Sequence, residues 1–84
     1  MRKEYSYTPT GVCSRRINIV LNDDVIESVE FVGGCSGNTQ GVAKLAAGRS
    51  VDEVVEILAG TRCGGRPTSC PDQLARALLN AKNA

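Results

Sequence analysis

Four cysteines and no histidine constrain this chain of 84 residues more than any other feature of its sequence. Each cysteine lies beside glycine, serine or proline, where one regular element is expected to give way to the next; they are Cys13, Cys35, Cys63 and Cys70. A cysteine used only in packing usually lies within an apolar run, because a free thiol behaves as a small hydrophobic group. The pattern therefore indicates thiols that are brought together to bind or to react.

The core of this chain has to be aliphatic, because its only aromatic residues are Tyr5, Tyr7 and Phe31. A chain of this length buries about 60–65% of its unfolded surface. Domains of this size often depend on disulfides or a metal for stability. We expect one domain over residues 1–84, stabilised through its cysteines.

The charge of the chain excludes some partners. Ten basic and nine acidic side chains give a net charge of +1, and the basic residues are scattered. Nucleic-acid binding usually needs a basic patch with aromatic stacking groups, so we do not expect it. No apolar run approaches the roughly 18 residues of a membrane span. No apolar segment follows the basic N-terminal residues as in a signal peptide, and we expect a cytoplasmic protein with no membrane partner.

The expected compartment favours metal over disulfides. Thiols stay reduced in the cytoplasm, although three disulfide pairings remain open if the protein is oxidised. Without histidine the ligands are thiolates, and four of them satisfy tetrahedral Zn²⁺ or an iron–sulfur cluster. We predict a metal site whose ligands are Cys13, Cys35, Cys63 and Cys70. Zn²⁺ is the first expectation, and an iron–sulfur cluster is the second.

The first third of the chain has strand patterns. Residues 16–21 and 25–32 are rich in β-branched side chains, and Asn-Asp-Asp at 22–24 supplies a turn, which together predict a hairpin. Residues 5–8 alternate and predict a possible further strand. In the second hairpin strand, regular alternation places Val25, Val29 and Phe31 on one face. Ile26 then falls on the opposite face, which we expect to be mostly exposed to solvent.

Three helical patterns follow the strands, and each has a start or stop signal. Gly48 ends the first, Ser50 with Glu53 forms a capping box for the second, and residues 68–72 open the third. The apolar residues of the three patterns are Val42, Leu45 and Ala46; Val51, Val54, Val55 and Leu58; and Leu74, Leu78, Leu79 and Ala81. Strands followed by helices predict an α+β fold, with the helices packed on one face of a small antiparallel sheet.

Three further features have structural and functional interpretations. The glycine-rich segment 33–41 favours tight turns and close approach, although binding of a nucleotide or another anion at the following helix stays open. The segment lacks the Lys-Ser/Thr pair of a P-loop. Arg62 and Arg66 flank Cys63 and are expected on a solvated loop. Asp72 is expected to be a helix-cap charge.

Residues 68–72 read Thr-Ser-Cys-Pro-Asp, and the chain resembles the TSCPD domain family over nearly all its length. The segment 33–38, the Cys63-Gly64 loop and the four cysteines agree with the small stand-alone branch of that family. The resemblance implies an association with ribonucleotide reductase as a protein partner, and hence with nucleotide reduction and DNA synthesis. It does not imply reductase activity, because 84 residues are too few for that enzyme's barrel. The redox alternative is a Cys63–Cys70 dithiol that relays electrons.

The order of elements is also similar to that of the NifU/IscU iron–sulfur scaffolds. Cys13, Cys35 and Cys70 fall where those scaffolds carry three cluster cysteines, and residues 48–53 resemble their helix-opening segment. This resemblance implies a NifU/IscU-like fold. It also leaves open a role as a scaffold for cluster assembly.

The chain departs from the scaffolds near the predicted ligands. Ser14 and Arg15 stand where an aspartate is expected after the first cysteine, the histidine before the last cysteine is absent, and Cys63 is added. A fourth thiolate favours a closed site, and closed sites are usually structural. We therefore predict a metal-binding accessory or interaction domain with no independent enzymatic activity.

Overall fold

Three strands at the start of the chain form one antiparallel sheet in the order β1 (Arg2–Tyr7), β2 (Ser14–Asn22) and β3 (Val25–Gly33). The structure, a computed structural model, describes residues 2–12, 14–33, 36–62, 65 and 67–84. The predicted hairpin and the additional N-terminal strand are both confirmed. Asp23 in the hairpin turn has a φ of 55°, a conformation that Asp and Asn adopt more readily than most residues.

The hairpin contains a β-bulge at Glu27. Leu21 pairs with Ile26, whereas the preceding residue Val20 pairs with Ser28, so Glu27 has no opposite partner. One extra residue in a strand reverses which side chains face the core beyond that point. The bulge therefore changes the faces that simple alternation predicts.

The predicted faces of β3 were wrong at the beginning of the strand for this reason. Ile26 is fully buried in the core, whereas Val25 is 45% exposed. Val29 and Phe31 pack against the core as expected. Ile26 thus shares the inner face with residues that regular alternation would place on the opposite side.

Three helices follow the sheet: α1 (Ser36–Ala46), α2 (Val51–Leu58) and α3 (Cys70–Asn83). α1 packs on β3, α3 packs on β1 and β2, and α2 packs on α3. The inner face of β2 supplies the centre of the core through Ile17, Ile19 and Leu21. The predicted α+β fold is confirmed. No helix in the described part of the chain is long and apolar enough to cross a membrane.

Two leucines assigned to buried helical stripes are instead exposed. Leu45 in α1 is 68% exposed and Leu79 in α3 is 41% exposed, whereas their neighbours Ala46 and Leu78 are buried. Consecutive helical residues point about 100° apart, and the packing of these two helices turns Ala46 and Leu78, rather than the leucine beside each, toward the core. Burial of Val51 and Val54 in α2 agrees with the prediction.

Much of the glycine-rich segment belongs to α1, which begins at Ser36. A Cβ at Gly41 would meet no atom within 4 Å, so the prediction that these glycines permit close approach was wrong at that position. Gly48, after α1, and Gly60, after α2, each have a φ of 86°. Gly48 ends α1 as predicted, and Gly60 ends α2 in the same way, because glycine tolerates the left-handed conformation.

Candidate functional site

The Thr-Ser-Cys-Pro-Asp segment opens α3. The Ser69 backbone is extended, and its Oγ accepts a hydrogen bond from the Asp72 backbone N–H at 3.2 Å, which is the geometry of a helix N-cap. Pro71 lies in the first turn, where its missing N–H costs no helical hydrogen bond. The predicted start and capping hydroxyl of α3 are confirmed, and the cap places Cys70 as the first helical residue.

The Cys70 thiol is half-buried and lies against strand β2. Its Sγ is 3.1 Å from the Oγ of Ser14, whose side chain is 3% exposed. Ser14 directly follows Cys13, and its proximity to a predicted ligand was its only signal in the sequence. Sequence reasoning did not identify Ser14 as a site residue, because contact with Cys70 depends on how α3 packs against the sheet.

Asp72 has a buried carboxylate with several donors. Its Oδ1 accepts from the Gly60 backbone N–H at 2.7 Å, its Oδ2 accepts from Thr68 Oγ1 at 2.5 Å, and Arg76 Nε lies 3.3 Å from Oδ2. Burial raises the pKa of this carboxyl, but the hydrogen bonds from Thr68 and Gly60 and the charge of Arg76 outweigh it, and the pKa is lowered from 3.8. Asp72 lies in the first helical turn, as predicted. Its contact with the Gly60 backbone was not predicted.

Gln73 forms a second buried polar centre beside Asp72 and was also missed by sequence reasoning. The side chain is 1% exposed. Its Nε2 donates to Thr68 Oγ1 at 2.9 Å, and its Oε1 accepts from the Thr10 backbone N–H at 3.1 Å and from the Tyr7 hydroxyl at 3.4 Å. Sequence patterns do not reveal the acceptor role of this glutamine, because Thr10 and Tyr7 lie more than 60 residues away.

Two loops are held against the start of α3 by these side chains. Ser69 Oγ donates to the Thr61 carbonyl oxygen at 2.6 Å, beside the contact between Gly60 and Asp72. On the other side, a Cβ at Gly11 would be 3.1 Å from Thr68 Cγ2. Within the described ranges, every buried side-chain nitrogen or oxygen has a hydrogen-bond partner. The segment therefore fixes both a loop before β2 and a loop after α2.

Of the four predicted ligands, Cys70 falls within the described residues, whereas Cys13, Cys35 and Cys63 lie outside them. The described portions of the chain contain no group of three His, Cys, Asp or Glu side chains that suits a metal ion. Ser14 is the Cα partner of Gly33 across the β2–β3 ladder. The residue that follows Cys13 and a residue two positions before Cys35 are therefore neighbours at the end of the sheet that contacts Cys70.

Uncompensated positive charge borders the same end of the molecule. Arg15 and Arg16 follow Ser14, Arg62 follows Thr61, and all three are exposed. None forms an ion pair with a described residue, whereas Arg2, Arg49 and Arg76 pair with Glu27, Glu53 and Asp72 respectively. The exposure of Arg62 agrees with the predicted solvated loop, and Arg66 lies outside the described residues.

An apolar groove of about 180 Å³ lies between α1 and α2. Leu45 and Ile57, both more than 60% exposed, line it. The charged group at its edge, Arg49, already donates to Glu53 and to the Leu45 carbonyl oxygen. The side chains that line this groove offer no free polar group for catalysis or ligation. The start of α3 therefore remains the candidate site.

The fold and the site define a class of small α+β domain in which a cysteine-containing cap segment ties two loops to the last helix. The TSCPD domain family matches residues 1–82, and this chain belongs to it. No curated protein and no solved structure matches the chain. The similarity to NifU/IscU scaffolds is tested by none of these comparisons and stays a prediction.

Proposed function

We propose that this TSCPD domain binds one metal ion through Cys13, Cys35, Cys63 and Cys70 and acts as an accessory module rather than as an independent enzyme. Zn²⁺ is the proposed metal, and an iron–sulfur cluster is the alternative. The observation that carries the proposal is the meeting of three chain segments beside Cys70, each of which leads into one of the other cysteines.

Two of these segments come from the sheet. Ser14 contacts Cys70 through its hydroxyl at 3.1 Å and pairs with Gly33 across the ladder. Cys13 is one residue from Ser14, and Cys35 is two residues from Gly33. Two residues span at most about 7 Å, and these short separations support Cys13 and Cys35 as ligands of the same proposed site as Cys70.

The third segment comes from the loop after α2. The hydrogen bond from Ser69 to Thr61 at 2.6 Å holds this loop beside the first residue of α3. Cys63 is two residues beyond Thr61, and this short separation supports it as the fourth proposed ligand.

The donor set suits Zn²⁺. Four thiolates form the closed tetrahedral shell of a structural zinc site, whereas four thiolates without a cation would repel one another. Asp72, two residues from Cys70, is not a proposed ligand, because both of its carboxylate oxygens already accept hydrogen bonds. The same engagement makes Asp72 unsuitable as a general base, which supports an accessory role.

The proposed partner follows from the family. TSCPD resemblance implies association with a ribonucleotide reductase. Arg15, Arg16 and Arg62, which form no ion pair with a described residue, favour a partner surface of negative charge. Metal binding would then stabilise the cysteine-bearing end of the domain that carries these arginines.

The test of metal binding is elemental analysis of protein purified without oxygen, with a thiol count and a visible spectrum on the same sample. We expect one zinc per chain and thiols that react only after denaturation. Cys70→Ser should lose the metal, while Ser28→Ala, an exposed position on β3, should keep it. Parent protein that contains no metal and has four freely reactive thiols would refute the proposal.

A redox role is the second candidate function, and the Ser69–Thr61 contact favours it as well. Cys63 is two residues beyond Thr61, which supports Cys63 and Cys70 as the redox pair. Oxidation of that pair to a disulfide would pass two electrons and two protons to an acceptor disulfide, which becomes a dithiol. A reversible Cys63–Cys70 disulfide in metal-free protein, mapped by mass spectrometry, would support the relay. A pair that never oxidises would exclude it.

A further inference from the structure

The residues of the cap segment that carry no thiol are directed to two different loops. We infer that Asp72 and Gln73 are positioning residues that separately hold the two loops leading to Cys63 and Cys13, so that each thiol can be released without the other. This inference rests on the proposed metal site. It assigns the signature residues around Cys70 to control of ligand release rather than to ligation.

The first arm, formed by Asp72 and Ser69, holds the loop after α2. Asp72 Oδ1 accepts from the Gly60 backbone N–H at 2.7 Å, and Ser69 Oγ donates to the Thr61 carbonyl oxygen at 2.6 Å. The two contacts join side chains at the start of α3 to the backbone of two consecutive residues, Gly60 and Thr61. Cys63 follows Thr61 by two residues. Loss of either contact should weaken the attachment of the chain immediately before Cys63.

The second arm, formed by Gln73, holds the loop before β2. Gln73 Oε1 accepts from the Thr10 backbone N–H at 3.1 Å. The next residue, Gly11, has a φ of 73° and lies so close to Thr68 that a Cβ would be 3.1 Å from the threonine methyl carbon. Cys13 follows two residues later. Loss of the Gln73 acceptor leaves a loop amide without its partner and frees the chain before Cys13.

Thr68 connects the two arms. Its hydroxyl donates to Asp72 Oδ2 and accepts from Gln73 Nε2, and its side chain is 7% exposed. Because buried polar groups are unfavourable when unpaired, removal of this hydroxyl affects both Asp72 and Gln73. The geometry therefore predicts three outcomes: greater exposure of Cys63 when the first arm is broken, of Cys13 when the second is broken, and of both when Thr68 is changed.

The experiment is pulse labelling of the four thiols with iodoacetamide, quantified for each cysteine by peptide mass spectrometry, with and without one equivalent of Zn²⁺. In Asp72→Leu, which leaves the Gly60 N–H without its acceptor, we expect labelling of Cys63 to rise roughly tenfold more than that of Cys13, because one buried hydrogen bond that opposes local opening is lost. Gln73→Met should give the opposite pattern. Thr68→Val should raise both rates.

Matched controls separate these patterns from general loss of stability. Asp52→Leu is the same chemical change at an exposed carboxylate that pairs with Lys82, and it should leave all four rates unchanged. If Asp72→Leu or Gln73→Met does not fold, Ser69→Ala and Gly11→Ala perturb the same two arms at different atoms. Equal increases at Cys13 and Cys63 in both single-arm variants, or no increase in either, would overturn the inference.

Failure of the metal proposal gives a different result. If Zn²⁺ slows labelling of no cysteine in the parent, the metal site is refuted. The opposite patterns in Asp72→Leu and Gln73→Met would still appear in metal-free protein if the two arms exist, because the contacts that define them require no metal.

Discussion

The Oγ of Ser14 lies 3.1 Å from the Sγ of Cys70 and joins the first residue of strand β2 to the first residue of helix α3. A metal-bound thiolate has no proton to donate, so in the proposed site the serine hydroxyl is the donor. Outer-shell hydrogen bonds of this kind orient metal ligands and tune their charge.

Ser14→Ala should weaken Zn²⁺ binding by about 10–100-fold, the usual effect of losing an outer-shell partner. Competition with a chromophoric zinc chelator measures this directly. Ser28→Ala is the control, because Ser28 is an exposed residue of β3. Equal affinities for the Ser14→Ala and Ser28→Ala proteins would show that the contact has no role in metal binding.

The buried carboxylate of Asp72 should make the stability of the metal-free protein depend on pH. Its pKa is lower in the folded protein than the unfolded value of 3.8, despite the opposing effect of burial. The ionised form is therefore favoured by folding, and its contribution is complete well above pH 3.8 and is lost as the pH falls through the lower folded pKa. Urea titrations across about pH 2–6 should show the unfolding free energy decreasing in that direction.

Asp72→Asn should remove this part of the pH dependence. It should also lower the unfolding free energy at neutral pH by about 1–3 kcal/mol, because buried donors lose a charged acceptor. Asp52→Asn, whose carboxylate is 76% exposed, should change the pH profile little. A profile for Asp72→Asn that is parallel to the parent's would contradict the assignment.

Gly41→Ala should stabilise the protein by about 0.5–1 kcal/mol, because glycine is unfavourable within a helix. The added Cβ meets no atom within 4 Å. Gly48→Ala is the informative comparison, since its surroundings are equally open but its φ is 86°, and it should destabilise the protein by about 1 kcal/mol or more. Thermal unfolding that ranks the two variants in the opposite order would show that α1 is assigned incorrectly.

The adjacent leucines of α3 should respond differently to truncation. Leu78 is fully buried in the core, so Leu78→Ala should lower the unfolding free energy by about 2–5 kcal/mol. Leu79 is 41% exposed, and Leu79→Ala should lower it by less than about 1 kcal/mol. Chemical denaturation of both variants measures the difference, and equal losses would contradict the orientation of this helix.

The ends of elements could be predicted from sequence because the signals that set them are local. Ser50 caps α2 through the N–H of Glu53, three residues away, and Ser69 caps α3 in the same manner. Gly48 and Gly60 end helices because their own backbone conformation requires it. These interactions span a few residues, so the order of strands and helices was readable before the fold was known.

The buried face of a strand or helix, and the distant partners of a buried side chain, could be identified only from the tertiary structure. Ile26 is buried because a bulge at Glu27 changes the register, and pairing between strands determines where a bulge falls. Leu45 and Leu79 are exposed because packing selects one of two adjacent apolar residues. Alternation and helical periodicity limit these choices without deciding between them.

Residue types alone predict that a Thr-Ser-Cys-Pro-Asp segment opens the last helix, because capping chemistry acts within one turn. Tertiary structure decided what that segment holds. Asp72 meets Gly60 across 12 residues, Gln73 meets Thr10 across 63, and Ser14 meets Cys70 across 56. Such contacts form where packed elements bring distant backbone and hydroxyl groups together, and a linear pattern of residue types does not encode that distance.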